Sequence, residues 1–182
     1  MKLPDPGYPA GPLGILEMPD PRLRAQAKPV ASIDDGLRGF LDRMLDAMYA
    51  APGIGLAAPQ VGVLARIVVV DVAPKDEPRS PIRLINPEIV WRGATRIVAE
   101  EGCLSLPGHY ADVERPEAVT VRFVDHTGEP GEIEAEGLLA RCLQHEVDHL
   151  DGILFVDHLS ALKRGMILRK LAKNRRTDRR SA

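Results

Sequence analysis

The chain has 182 residues, 45% apolar and 27% charged, which suffices for one ordinary core and gives no compositional reason for two domains. With 24 Lys and Arg against 26 Asp and Glu, the formal net charge is −2, so no whole-chain field points to a nucleic acid, a membrane surface or an acidic partner. Function must reside in a local site, and one domain over residues 1–182 is the expectation.

The opening stretch, MKLPDPGYPAGPLGILEMPDP, is rich in Pro and Gly and holds no apolar run long enough for a signal-peptide core. No window elsewhere approaches a membrane span. Residues 1–14 read as an irregular, surface-hugging start, and the chain as a cytoplasmic protein with no membrane partner, expected to be monomeric. Two cysteines, Cys103 and Cys142, make no disulfide framework, and a thiol near histidines points instead to metal or catalysis.

In SIDDGLRGFLDRMLDAMYAAPG, Ser32 is a candidate N-cap, and Leu37, Leu41, Met44, Leu45 and Met48 recur at helical spacing. This predicts an amphipathic helix over Ile33 to Tyr49, with its Met side chains as core filling. β-rich runs follow at 66–72, 82–90, 95–101, 118–125 and 131–137, the last two joined by the turn DHTGEPG into a hairpin. A second helix is predicted from near Glu136 to Leu150 and a third from Ser160. Because strands and helices come in separate runs, the expected fold is α+β, with mostly antiparallel sheet packed around the second helix.

That second helix carries LQHEVDHLDG. On a helical wheel Leu138, Cys142, His145 and His149 share one stripe, and Leu139, Leu143, Glu146 and Leu150 form the stripe beside it. Arg141, Gln144, Asp148 and Asp151 face away, toward solvent or a polar contact, and Gly152 suits the helix end. Imidazoles at i and i+4 can aim ring nitrogens at one cation, which is the H-E-x-x-H arrangement. Surface histidine pairs arise by chance, but these are flanked by leucines, where unpaired ionisable groups are costly to bury. Glu146 would be raised by burial and lowered by a cation, a balance suited to moving a proton near neutral pH.

A catalytic site commonly has three protein ligands and one open position. A metzincin-type third histidine is missing, since position 155 is Phe, and no glutamate lies downstream for a thermolysin-type set. The upstream candidate is Cys103, in EEGCLSLPG; one thiolate with two imidazoles suits zinc or ferrous iron better than magnesium or calcium. Cys142 is the competing thiol. It lies on the histidines' own helix, which would have to bend for it to share the ion, so it reads as an apolar wall residue.

Taken together, GIGLAAPQ (53–60), EGCLS (101–105) and QHEVDHLDG (144–152) resemble the three signature motifs of the peptide deformylases, in the family's order, and residues from about 15 to 172 resemble that family as well. The resemblance implies a metal held by Cys103, His145 and His149, usually ferrous iron in the cell and often replaced by nickel, cobalt or zinc. It implies Glu146 as general acid/base, with the Gln60 side-chain amide and the Leu104 backbone N–H binding the oxyanion. The substrate would be a nascent chain beginning with N-formylmethionine, and the products formate and a free amino terminus.

GIGLAA also matches a dinucleotide-binding string, but that reading needs a strand before it and a helix after, the reverse of the predicted order. The glycines read instead as places where a peptide backbone comes close, with Ile54, Gly55 and Gly102 flanking a substrate that pairs like an added strand. Ile54, Leu138 and Cys142 are candidate walls of a methionine pocket, or simply core. From Lys163 onward the chain carries nine Lys or Arg and one Asp, read either as a solvated helix face or as a contact to ribosomal RNA. His109, His126 and His158 read as surface residues. Two other readings stay open: a general metallopeptidase, and a structural Cys-His-His module that would need a fourth protein ligand.

Overall fold

Asp34, not Ser32, starts the first helix: its Oδ1 accepts from the Leu37 N–H at 2.9 Å. In this computed structural model, which describes residues 7–181 and side chains as far as Asn174, α1 spans Asp35–Ala50. Ser32 lies two residues too early because the capping oxygen must reach the N–H three positions on. One face of α1 buries Leu37, Phe40, Leu41, Met44, Leu45 and Met48, each burial contributing about 1.5–3 kcal/mol.

A five-stranded antiparallel sheet runs in the order β1 (Gly55–Ala57), β2 (Ile67–Val70), β3 (Ile82–Arg92), β6 (Ala118–Val124), β7 (Pro130–Glu136). A second, two-stranded sheet pairs β4 (Arg96–Gly102) with β5 (Tyr110–Pro116). The expected β6–β7 hairpin forms, whereas β5 and the three-residue β1 were not among the predicted strands. β2 explains the layering. Its side chains alternate, so Ile67 and Val69 pack with α1 while Val68 and Val70 pack with α2 (Gly137–Leu150) on the other face. A strand covered on both faces has no polar side, hence the unbroken IVVV.

A third cluster, Leu106, Val113, Leu154, Phe155 and Val156, joins the loop after Cys103 to β5 and to the 3-10 turn Phe155–His158. The N-terminal approach is irregular from residue 7 to 14, and residues 1–6 lie outside the described residues. Further on it laces across the molecule: the Leu16 N–H donates to Gln60 O at 2.7 Å and the Met18 N–H to Ser105 O at 2.9 Å. The last helix, α3 (Ala161–Ser181), buries Leu171 but exposes Leu162 and Met166; the side chains of its basic end, from Arg175 on, lie outside the described residues. Among the described residues no helix is long and apolar enough to cross a membrane.

α2 ends where Gly152 turns left-handed, at φ +73°. A Cβ there would stand 2.5 Å from the Arg24 carbonyl oxygen. Gly152→Ala should therefore lower the urea-unfolding midpoint by an amount equivalent to more than about 1–2 kcal/mol, the usual left-handed penalty alone; an unchanged midpoint would show that the turn relaxes freely.

Candidate active site

The 3.6-residue repeat of α2 stacks His145 and His149 one turn apart, both buried, with ring centroids 4.9 Å apart. Their Nε2 atoms approach to 3.2 Å, and Cys103 Sγ, from the loop after β4, lies 3.3 Å from His149 Nε2. The donor atoms of all three residues fall within 4.8 Å of one another. Donors around a tetrahedral zinc-like ion stand about 3.3 Å (N to N) and about 3.5 Å (N to S) apart, given bond lengths of about 2.0–2.1 and 2.3 Å. These spacings fit one cation.

The electrostatics set the two imidazoles apart. At His149 burial, with His145 adding to it, pushes the imidazole well below its usual range. At His145 burial acts in the same direction, but Cys103 and Glu101 outweigh it and raise the group. Two ring nitrogens so close share at most one proton, and a metal ion satisfies both lone pairs at once. His145 Nδ1 donates to Glu101 Oε2 at 3.1 Å, which leaves its Nε2 lone pair directed at the site.

Cys142 stands apart from this cluster. Its buried thiol donates to the Ile54 carbonyl at 3.5 Å, and burial first, then the Glu146 charge, push it well above its usual range, so it stays protonated. Among the described residues the group suited to an ion consists of Cys103, His145 and His149, without a fourth protein ligand.

Glu146 is buried beside them, and its Oε2 has no hydrogen-bond partner. Burial raises its carboxyl to about 7, against the lowering influence of His145 and Arg115. A Cβ on Gly55 would collide with Glu146 Oε1 and stand 2.8 Å from Cys142 Sγ. The missing side chain at 55 thus makes room for the carboxylate, where the sequence suggested room for a peptide. Gly102 likewise lies under the ring of Tyr110, with a Cβ 2.5 Å from Tyr110 Cε1.

Gln60, in the 3-10 turn Ala58–Val61, is clamped at its oxygen: Oε1 accepts from the Ala57 N–H at 2.9 Å. Its Nε2 therefore faces Ser105 Oγ at 3.2 Å and Cys103 Sγ at 3.6 Å. Leu104 follows Cys103 directly, and no described group accepts its N–H. A cleft of about 610 Å³ is lined by Gln60, Cys103, Leu104, His145 and Glu146 together with Ile54, Gly55, Gly102, Leu138 and Cys142. The structure so brings all the candidate residues except His149 to one wall system, with His149 buried behind it. Ile54 and Leu138 are 41% and 55% exposed, so they belong to the cleft's rim and not to the core.

The polypeptide deformylase family model matches residues 12–165. The chain belongs to the polypeptide deformylase family. The peptide deformylase of Alkalilimnicola ehrlichii is 58% identical over 161 residues, covering 88% of this chain and 89% of that one. A crystal structure of a peptide deformylase from Legionella pneumophila is 50% identical, with a TM-score of 0.86 over 93% of this chain and 99% of that one. The peptide deformylase of Ehrlichia chaffeensis in complex with actinonin is 40% identical, with a TM-score of 0.85 over 90% and 97% of the two chains.

Within this deformylase fold, several groups around the site escape a sequence reading. Glu101 takes hydrogen bonds from Arg115 at 2.6 and 3.0 Å and from Arg141 at 2.7 Å besides that from His145. Burial opposes its charge, but His145 and Arg115 outweigh it and hold the carboxyl well below its usual range. Arg141 and Asp148 face polar contacts, not solvent, and Gln144 donates from inside to the Pro116 carbonyl at 2.9 Å. His109, expected at the surface, is buried with Nδ1 donating to the Pro107 carbonyl at 2.9 Å, because the turn in which its N–H bonds the Leu106 carbonyl folds it into the cleft wall. A buried charge pair and a buried loop histidine carry the same letters as surface residues; only the proximity of Glu101 to the EGCLS cysteine hints at its role.

Glu101→Gln takes from Arg115, 4% exposed, its buried charge partner and leaves it only the half-buried Asp148. Breaking such a pair typically costs about 3–5 kcal/mol, and loss of a ligand's hydrogen-bond partner about 10–100-fold in metal affinity. Urea unfolding and chelator competition should both register it; a variant unchanged in both would remove Glu101 from the account.

Proposed function

We propose that this chain is a metal-dependent hydrolase that removes the formyl group from N-formylmethionine at the start of nascent polypeptides, releasing formate. The observation that carries this reading is the meeting, in one cleft, of three donors spaced for a cation, a buried carboxylate with an unpartnered oxygen and a clamped amide donor. Cys103, His145 and His149 would hold a divalent ion, ferrous iron in the cell with zinc, nickel or cobalt as substitutes, since one thiolate and two imidazoles suit these metals. Such an ion supplies Lewis acidity, making water nucleophilic near neutral pH and polarising a carbonyl.

The protein's own groups account for the remaining requirements. Formamide hydrolysis adds water across a C–N bond, so a proton leaves the water and another must reach the departing nitrogen. Glu146, raised by burial to about 7, takes the first and delivers the second. Gln60 cannot turn, because the Ala57 N–H holds its oxygen, so its Nε2 stays aimed beside Cys103. Together with the Leu104 N–H it meets the negative charge that develops on the formyl oxygen. β1 is an edge strand, and Ile54 and Gly55 offer the backbone along which an extended peptide can lie. Ile54, Leu138 and Cys142 contribute apolar surface for the methionine side chain, with Gly102 on the cleft wall.

A closed structural site is disfavoured by Cys142, the other cysteine, which lies outside the donor cluster, protonated and turned to the Ile54 carbonyl. The decisive experiment is formate release from formyl-Met-Ala-Ser by anaerobically reconstituted protein. The parent should turn over, and Glu146→Ala should lose about 10²–10⁴-fold while keeping its metal. Gln60→Ala should lose about 10²–10³-fold, also with metal retained. No formate from a fully metallated parent would overturn the assignment, and a Glu146→Ala protein of parental rate would remove the carboxylate from the mechanism.

A further inference from the structure

A chain of hydrogen bonds leads from solvent to a candidate metal ligand. His158, whose side chain is 33% exposed, donates from Nε2 to Asp148 Oδ2 at 2.7 Å. The same oxygen accepts from Arg115 at 2.9 Å, and Arg115 donates by two further N–H groups to Glu101, whose Oε2 receives His145 Nδ1. The links cross four elements: the 3-10 turn Phe155–His158, α2, β5 and β4.

The same turn touches His145 by a second route. Phe155, 1% exposed, stacks on the His145 ring, with centroids 6.5 Å apart and planes 20° apart. The turn is itself anchored, since Asp157 pairs with Arg24 and accepts from the Leu154 N–H at 2.8 Å. One end of this rigid turn therefore fixes the face of the imidazole, while the other reaches the network that fixes its Nδ1 proton.

We infer that His158 is a positioning residue for the metal centre, acting through Asp148, Arg115 and Glu101 on His145. Asp148 shares one oxygen between two donors. With His158 gone, that oxygen has Arg115 alone, and the carboxylate is free to swing toward solvent and draw the guanidinium off Glu101. Glu101 then holds His145 less firmly in the tautomer that directs Nε2 into the site. Outer groups of this kind set the affinity of a site without touching the ion.

This inference rests on the metal reading above, and its test reads metal affinity, not turnover. The probe is cobalt(II), measured by chelator competition and by its visible absorption, on the full chain. His158→Ala should weaken cobalt binding about tenfold, the low end of the range for groups nearer the ligand. His158→Gln, whose amide N–H reaches a similar distance, should restore most of the loss. In an Asp148→Asn background the His158→Ala change should have no further effect, the signature of two residues acting in one path. The urea midpoint of His158→Ala should stay near the parent's. Parental affinity in His158→Ala, or equal losses in the Ala and Gln variants, would overturn the inference while leaving the metal site standing. A parent that binds no cobalt would overturn both.

Discussion

The Glu101 carboxylate holds the two parts of this structure in register. It sits on the small β4–β5 sheet, yet its partners are Arg115 on β5 and Arg141 and His145 on α2. Buried charge is tolerable only when nearly every lone pair is engaged, and Glu101 meets that condition with four hydrogen bonds. The consequence is geometric. β4 leads into Cys103, α2 carries the histidines, and one carboxylate fixes the distance between them, so the Cys103 sulfur and the imidazoles converge without a covalent tie.

The cleft follows from a second constraint, the crowding around Gly55. α2 packs one face of the main sheet, and β1 at the sheet's edge crosses above it so closely that a methyl group at 55 would strike Glu146. Close approach keeps Glu146 dry, and dryness raises its proton affinity into the neutral range. Gly55 of the same edge strand also lines the cleft.

What could be read from the sequence is what local periodicity encodes. The three helices and the runs at 67–70, 82–92, 96–102, 118–124 and 130–136 carry strong repeats or β-branched stretches, and their bounds fall close to expectation. β5, YADVERP, alternates too, but its charged letters and closing proline hide a strand whose Arg115 points inward. Gly55–Ala57 is too short for any period. Similarly, His145 and His149 are legible as a pair because a helix relates them, and Cys103 because it lies in a motif. The Arg115–Glu101–Asp148 network joins residues far apart in the chain, and nothing local distinguishes its charges from solvated ones.

Cys103, His145 and His149 are proposed to hold a divalent ion as one thiolate and two imidazoles. X-ray absorption of the zinc- or cobalt-loaded protein tests it directly. The account predicts one sulfur at about 2.3 Å and two nitrogens at about 2.0–2.1 Å, with any remaining ligand a light atom. Two sulfurs in the shell would bring Cys142 into the site and make it a closed structural centre, and a shell without sulfur would contradict the claim outright.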